Sequence, residues 1–174
     1  MFSYLITDPL FYQNFKIDLV NSIEKYQPDY ICFRDKNSIK NYKLAIEIAK
    51  YYKIPIVVNQ YIELVKLGFD GVHLTSSQLN LASQFKQYLT FGSTHNLEEI
   101  KKGEGCDFVT FSPIFNSKGR EGVGIEKLNQ ICKIAKPKVF ALGGIISDNE
   151  VKQLQNSECY GFASIRYFIR DKES

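Results

Sequence analysis

Two segments near the end of the chain combine small residues in a way that suits an anion. Phe140-Ala-Leu-Gly-Gly-Ile-Ile146 closes an apolar run with a glycine pair, and Gly161-Phe-Ala-Ser-Ile165 closes another with a small-residue turn before Arg166. Glycine lets backbone N–H groups approach an anion closely, and a helix start favours negative charge. Gly143, Gly144, Ala163 and Ser164 are therefore candidate phosphate-binding residues. Earlier in the chain Arg34 and Lys36 supply cations, and Asn59, Ser93 and Ser112 supply hydrogen-bonding groups at the ends of other apolar runs. The segment Ser117-Lys-Gly-Arg-Glu-Gly-Val-Gly124 reads either as a flexible connector or as a mobile basic lid, with Ser117 and Lys118 leading it. The two histidines differ. His73 lies inside an apolar run and reads as a satisfied core residue. His95, in Gly92-Ser-Thr-His-Asn96, is either an acid–base group or part of a polar cluster at a helix start that Asn96 caps. The chemistry these residues could do is the binding and turnover of a small organic phosphate.

Residues so far apart need a scaffold that gathers strand ends. Short apolar runs at 2–7, 29–34, 54–58, 70–74, 89–93, 107–112, 137–142 and 159–164 read as strands. Between several of them stand helical patterns, such as Phe15, Leu19, Ile23; Tyr42, Ala45, Ile46, Ala49; and Leu128, Ile131, Cys132, Ala135. Aspartates mark the starts of three strands, at Asp29, Asp70 and Asp107. A βα unit repeated about eight times implies an α/β fold, a compact single-domain (β/α)8 TIM barrel over 1–174. In such barrels the loops of the last two strands commonly hold a phosphate. A doubly wound open sheet is the alternative. The last helix is stunted, running 166–170, and a polar tail, 170–174, follows it; the open flank suggests a possible homodimer.

Strand side chains alternate between barrel interior and helix layer, so one choice of register fixes the rest. With Arg34 inward, Cys32, Val57, Asn59, His73, Thr75, Ser93, Thr110 and Ser112 also point inward. Ile31, Phe33, Ile56, Val58, Val72, Leu74, Val109 and Phe111 then face the helices. The resulting mouth is polar, rich in hydroxyls and net positive, with Arg34 and Lys36 facing the two phosphate loops.

Composition narrows the field. With 44% hydrophobic and 24% charged residues the chain is of ordinary globular character. A net charge of +3, unclustered, gives no argument for nucleic acid, and no apolar run approaches membrane-spanning length. The four widely spaced cysteines, none in a C-x-x-C pair, read as structural thiols of a reducing cytoplasm.

The chain also resembles the thiamine-phosphate synthase and thiazole tautomerase (TenI-like) family along nearly its whole length. The resemblance is carried by Leu5-Ile-Thr-Asp8, Phe33-Arg-Asp-Lys36, Ile56-Val-Val-Asn59, Gly71-Val-His-Leu74, Gly92-Ser-Thr-His95, Phe111-Ser-Pro-Ile-Phe115 and Ala141-Leu-Gly-Gly-Ile145. It implies a thiazole phosphate held by Gly143, Gly144 and the turn at Ala163-Ser164. Where the synthase pattern places Mg²⁺ carboxylates, this sequence has Gln60 and Gln78, and Cys32 stands where a diphosphate-binding glutamine is expected. An amide is a poor ligand for Mg²⁺. The expectation is therefore a cofactor-free, metal-independent thiazole tautomerase-type isomerase. Its alternatives are a synthase, which alone would use Mg²⁺, clamping diphosphate through Arg34, Lys36 and Lys118, and a non-catalytic thiazole-phosphate carrier. The tautomerase histidine falls at Pro113, leaving His95 as acid–base candidate and Lys118 or Lys36 as substitutes.

Overall fold

The computed structural model describes residues 1–172, with side chains through Ile169, so the expected polar tail lies largely outside the described residues. Eight parallel strands close into a barrel in chain order, with the last pairing back onto the first. They are β1 (Phe2–Ile6), β2 (Tyr30–Phe33), β3 (Ile56–Asn59), β4 (Gly71–Leu74), β5 (Leu89–Thr94), β6 (Phe108–Phe111), β7 (Lys138–Leu142) and β8 (Gly161–Ser164). Closure rules out the open sheet. All eight expected strands are present, their ends displaced by one or two residues.

The outer layer holds α1 (Phe15–Tyr26), α2 (Tyr42–Tyr52), α3 (Leu97–Lys102), α4 (Gly124–Ile134) and α5 (Asp148–Leu154). The regular βα alternation needs correction. The β3–β4 and β4–β5 crossovers are 3-10 helices, Ile62–Leu67 and Ser76–Phe85, and the element after β8 is a 3-10 helix, Arg166–Lys172. Ser76, Ser77 and Asn80 compete with a helical backbone for hydrogen bonds, which disfavours a long α-helix there.

Side-chain alternation sorts the core into two layers. Ile31, Phe33, Ile56, Val58, Val72, Leu74, Val109 and Phe111 pack under the helices. Tyr4, Ile6, Cys32, Val57, Phe91, Phe108, Phe140 and Ala163 fill the barrel. Tyr4 and Phe91 lie 4.4 Å apart between ring centroids, and Phe91 and Phe108 4.7 Å, so large rings plug the barrel. Toward the C-terminal strand ends several inward residues are polar, among them Asn59, His73, Ser93 and Thr110.

The three strand-start aspartates explain themselves. Asp29 accepts a hydrogen bond from the Ser3 N–H at 2.8 Å, Asp70 from the Ile56 N–H at 2.9 Å, and Asp107 from the Thr90 N–H and hydroxyl at 2.9 Å. Each carboxylate thus pins the start of the preceding strand, where a buried N–H would otherwise lack a partner. The clamp recurs on β2, β4 and β6.

Candidate active site

The double-glycine turn follows β7. Gly143 and Gly144 have φ values of 98° and 71°, a left-handed region costly to residues with a side chain. A Cβ on Gly143 would stand 2.7 Å from Pro113 Cα, and one on Gly144 2.6 Å from Phe115 Cβ. Glycine is therefore required twice at each position, by dihedral and by contact. The β6–α4 loop lies against this turn, Ile114 N–H donating to Leu142 O at 2.9 Å and Phe115 N–H to Gly143 O at 3.0 Å. Beside it, Ala163 is fully buried in the barrel core. The Ser164 hydroxyl donates to Ile145 O at 2.7 Å and accepts from the Tyr167 N–H at 3.1 Å. Ser164 thus ties the two loops together with its side chain.

Across the mouth, Arg34 follows β2, three strands from β7 around the ring. One of its guanidinium nitrogens contacts Asp8 at 2.5 Å, and the other Asp8 oxygen accepts from the Leu10 N–H at 3.0 Å. Asp8 thus offsets one of the two cations of the rim expected to be net positive. The sequence contained the signal: Ile6 pairs with Cys32, and two residues further the same register brings Asp8 beside Arg34. Asn59 donates to the His73 carbonyl at 3.0 Å. Below it, His73 bonds the Tyr4 hydroxyl through Nδ1 at 2.7 Å and the Ser93 hydroxyl through Nε2 at 2.9 Å. Burial, then the nearby Arg34 charge, lowers the His73 pKa to about 3, so the ring is neutral. Its reading as a satisfied core histidine holds. Ser93, half-buried, carries this network to the floor of the mouth, and Ser112 is also half-buried at the end of β6.

The remaining candidates lie farther out. Lys36 is exposed in the β2–α2 loop, where its carbonyl accepts from the Tyr61 hydroxyl at 3.1 Å. His95 is exposed after β5, with Nδ1 2.9 Å from the Glu99 carboxylate that also accepts from the His95 N–H at 2.7 Å. Asn96 caps α3, its side chain accepting from the Glu99 N–H at 2.9 Å. His95 is therefore an exposed imidazole built into the polar cluster at a helix start. The loop read as a flexible connector or lid forms a hairpin in the structure. Ser117 and Arg120 exchange backbone hydrogen bonds around Lys118 and Gly119, whose φ values of 51° and 73° match a type I′ turn. Its stem is closed by Val123 N–H to Pro113 O and Gly124 N–H to Ile114 O, each at 3.0 Å.

The family resemblance raises the question of Mg²⁺, and the donor groups do not fit it. Gln78 accepts from the Thr75 N–H at 3.1 Å and donates to the Gln60 carbonyl at 3.1 Å, closing a capping box on the 3-10 helix. Asp8 is engaged by Arg34 and Leu10. Asp35 accepts at one oxygen from the N–H groups of Asn37 and Ser38, both at 3.0 Å. Among the described residues no group of three or more His, Cys, Asp or Glu converges to hold a metal ion. Such hard, oxygen-rich coordination normally uses free carboxylates.

Fold and rim place the chain among the (β/α)8 barrels that gather their polar groups at the C-terminal strand ends. The family model described as thiamine monophosphate synthase matches residues 3–168, and the chain belongs to that family. It is 29% identical over 181 residues to "Putative thiamine-phosphate synthase 2" of Aquifex aeolicus (strain VF5), covering 95% of this chain and 96% of that protein. Fusobacterium nucleatum "Thiamine-phosphate synthase" is 30% identical over 155 residues, covering 80% and 75%. Among solved structures, "Thiamine phosphate pyrophosphorylase" from Pyrococcus furiosus superposes with a TM-score of 0.77 at 22% identity, covering 98% of this chain and 94% of that one, a likeness of fold. No helix among the described residues is long and apolar enough to cross a membrane.

Proposed function

We propose that this barrel is a thiamine-phosphate synthase-type transferase that joins a pyrimidine diphosphate to a thiazole phosphate. One arrangement supports the reading: the double-glycine turn after β7 and the Arg34–Lys36 segment after β2, each a candidate anion contact, stand three strands apart around one end of the barrel. A condensation of two phosphorylated molecules needs both, whereas isomerising one monophosphate needs one. The full-length relatives named as synthases support the same choice. In this reading the thiazole phosphate sits on the Gly143–Gly144 turn beside Ser164. The departing diphosphate is met by Arg34, held in place by Asp8, together with Lys36 and Lys118. No step is routed through a metal, since the donors present do not fit one.

A second reading, a thiazole tautomerase-type isomerase, is favoured by Gln78, whose amide is spent inside a capping box at a position where the synthase pattern has a carboxylate. A proton shift needs a positioned acid–base group and neither metal nor leaving group. Purified protein supplied with both substrates separates the two. Thiamine phosphate and diphosphate should accumulate together. Aromatisation of a carboxylated dihydrothiazole phosphate without condensation would replace the first reading by the second.

A further inference from the structure

The network beneath the mouth has a property its individual bonds do not. His73 is held between two hydroxyls, Tyr4 at Nδ1 and Ser93 at Nε2, and the Cys32 sulfur lies 3.8 Å from the same Nδ1. Tyr4 and Phe91 pack against each other, 4.4 Å between centroids, and both ring planes lie near that of the imidazole, at 18° and 20°. The two hydroxyls hold the imidazole at both of its nitrogens. A carbonyl or carboxylate partner would fix the tautomer, because it can only accept. A hydroxyl can donate or accept, and a thiol does both weakly.

Two arrangements of hydrogens therefore fit one arrangement of heavy atoms. In the first, Tyr4 donates to Nδ1 and Nε2–H donates to Ser93, which leaves the Ser93 O–H free to donate into the mouth. In the second, Ser93 donates to Nε2 and Nδ1–H donates to Tyr4, which turns its own hydrogen toward Cys32. Ser93 then offers only lone pairs to the mouth. Each arrangement carries the same number of protons and no charge. Burial keeps every member neutral, raising the Tyr4 hydroxyl well above its usual value, raising the Cys32 thiol to about 12 and lowering His73 to about 3.

We propose that His73 is a positioning residue whose tautomer sets whether Ser93 donates or accepts a hydrogen bond at the floor of the mouth. The floor thereby matches a heteroaromatic ring that presents a bare nitrogen in one state and an N–H or amino group in another. The inference rests on the ring-bearing ligands of the proposed function, and its failure is separable from theirs.

The chain has two histidines, so ¹⁵N-histidine labelling with a His95→Ala sample for assignment isolates the His73 ring nitrogens. Thiazole phosphate is the probe, with the Gly143 and Gly144 amide resonances recorded alongside. The expected result is movement of both amides together with opposite shifts of the two His73 nitrogens, the mark of a changed tautomer population. In Tyr4→Phe, Nδ1–H loses its hydroxyl acceptor and keeps only the weak Cys32 sulfur. The proton should stay on Nε2, and the His73 response should disappear while the amides still move. Amide movement with unmoved His73 nitrogens, or a Tyr4→Phe response equal to that of the native chain, overturns this proposal and leaves the ligand assignment standing. Unmoved amides sink the ligand assignment and this proposal with it.

Discussion

At the residue scale, the site is a matter of which polar atoms are already occupied. Gly144 has no substitute. Gly144→Ala must enter a left-handed dihedral and displace Phe115, and it should lower stability by about 2 kcal/mol, read from urea unfolding. Inorganic phosphate should raise the melting temperature of the native chain and leave this variant unmoved. Thr110 gives the opposite sign. Its hydroxyl is buried in β6 with no hydrogen-bond partner among the described residues. Removing an unsatisfied buried hydroxyl relieves a desolvation cost, so Thr110→Val should stabilise by about 1 kcal/mol in the same measurement. The types of these residues were legible in the chain, and their inward direction followed from strand parity. Their partners were not. Arg34 read as a cation of the mouth without its Asp8 partner, and Gln78 read as standing in place of a metal carboxylate without its place in a helix cap.

At the element scale, the repeated aspartates are the clearest case of sequence becoming architecture. A carboxylate placed just before an even-numbered strand reaches the first or second N–H of its odd-numbered neighbour, so pairing starts in register. Asp107 accepts two such bonds from buried Thr90, both at 2.9 Å, and Asp29 two from Ser3, at 2.8 and 3.2 Å. Asp107→Ala leaves the buried Thr90 N–H and hydroxyl without that partner and should cost about 2 kcal/mol. Asp29→Ala, at a more exposed corner, should cost less, and chemical denaturation of the two variants gives the order. The strands were legible as short apolar runs, because most of them are buried on both faces. The crossovers were less so: Ile62–Leu67 and Ser76–Phe85 are 3-10 turns whose form is set by the distance between neighbouring strands, with little periodicity to betray it.

At the scale of the whole molecule, a neutral histidine at the centre of the barrel couples folding to acidity. Folding lowers the His73 pKa from the ordinary value of 6.5 to about 3. The unfolded chain therefore binds the extra proton first as pH falls. The stability tied to a neutral ring is complete above pH 6.5 and drains away between 6.5 and 3, by roughly 2 kcal/mol at pH 5. Urea midpoints between pH 7 and 5 should fall for the native chain and flatten in His73→Gln; equal slopes would contradict a neutral core histidine. The sequence by itself determined the eight strands, the face each residue presents and the small residues that make room for an anion, because alternation and backbone sterics act locally. The tertiary structure alone decided which groups are free to act. Strand pairing sets Asp8 on Arg34 and Ser164 on Ile145, and barrel closure sets Tyr4 of β1 on His73 of β4, a contact across the interior that no local pattern encodes.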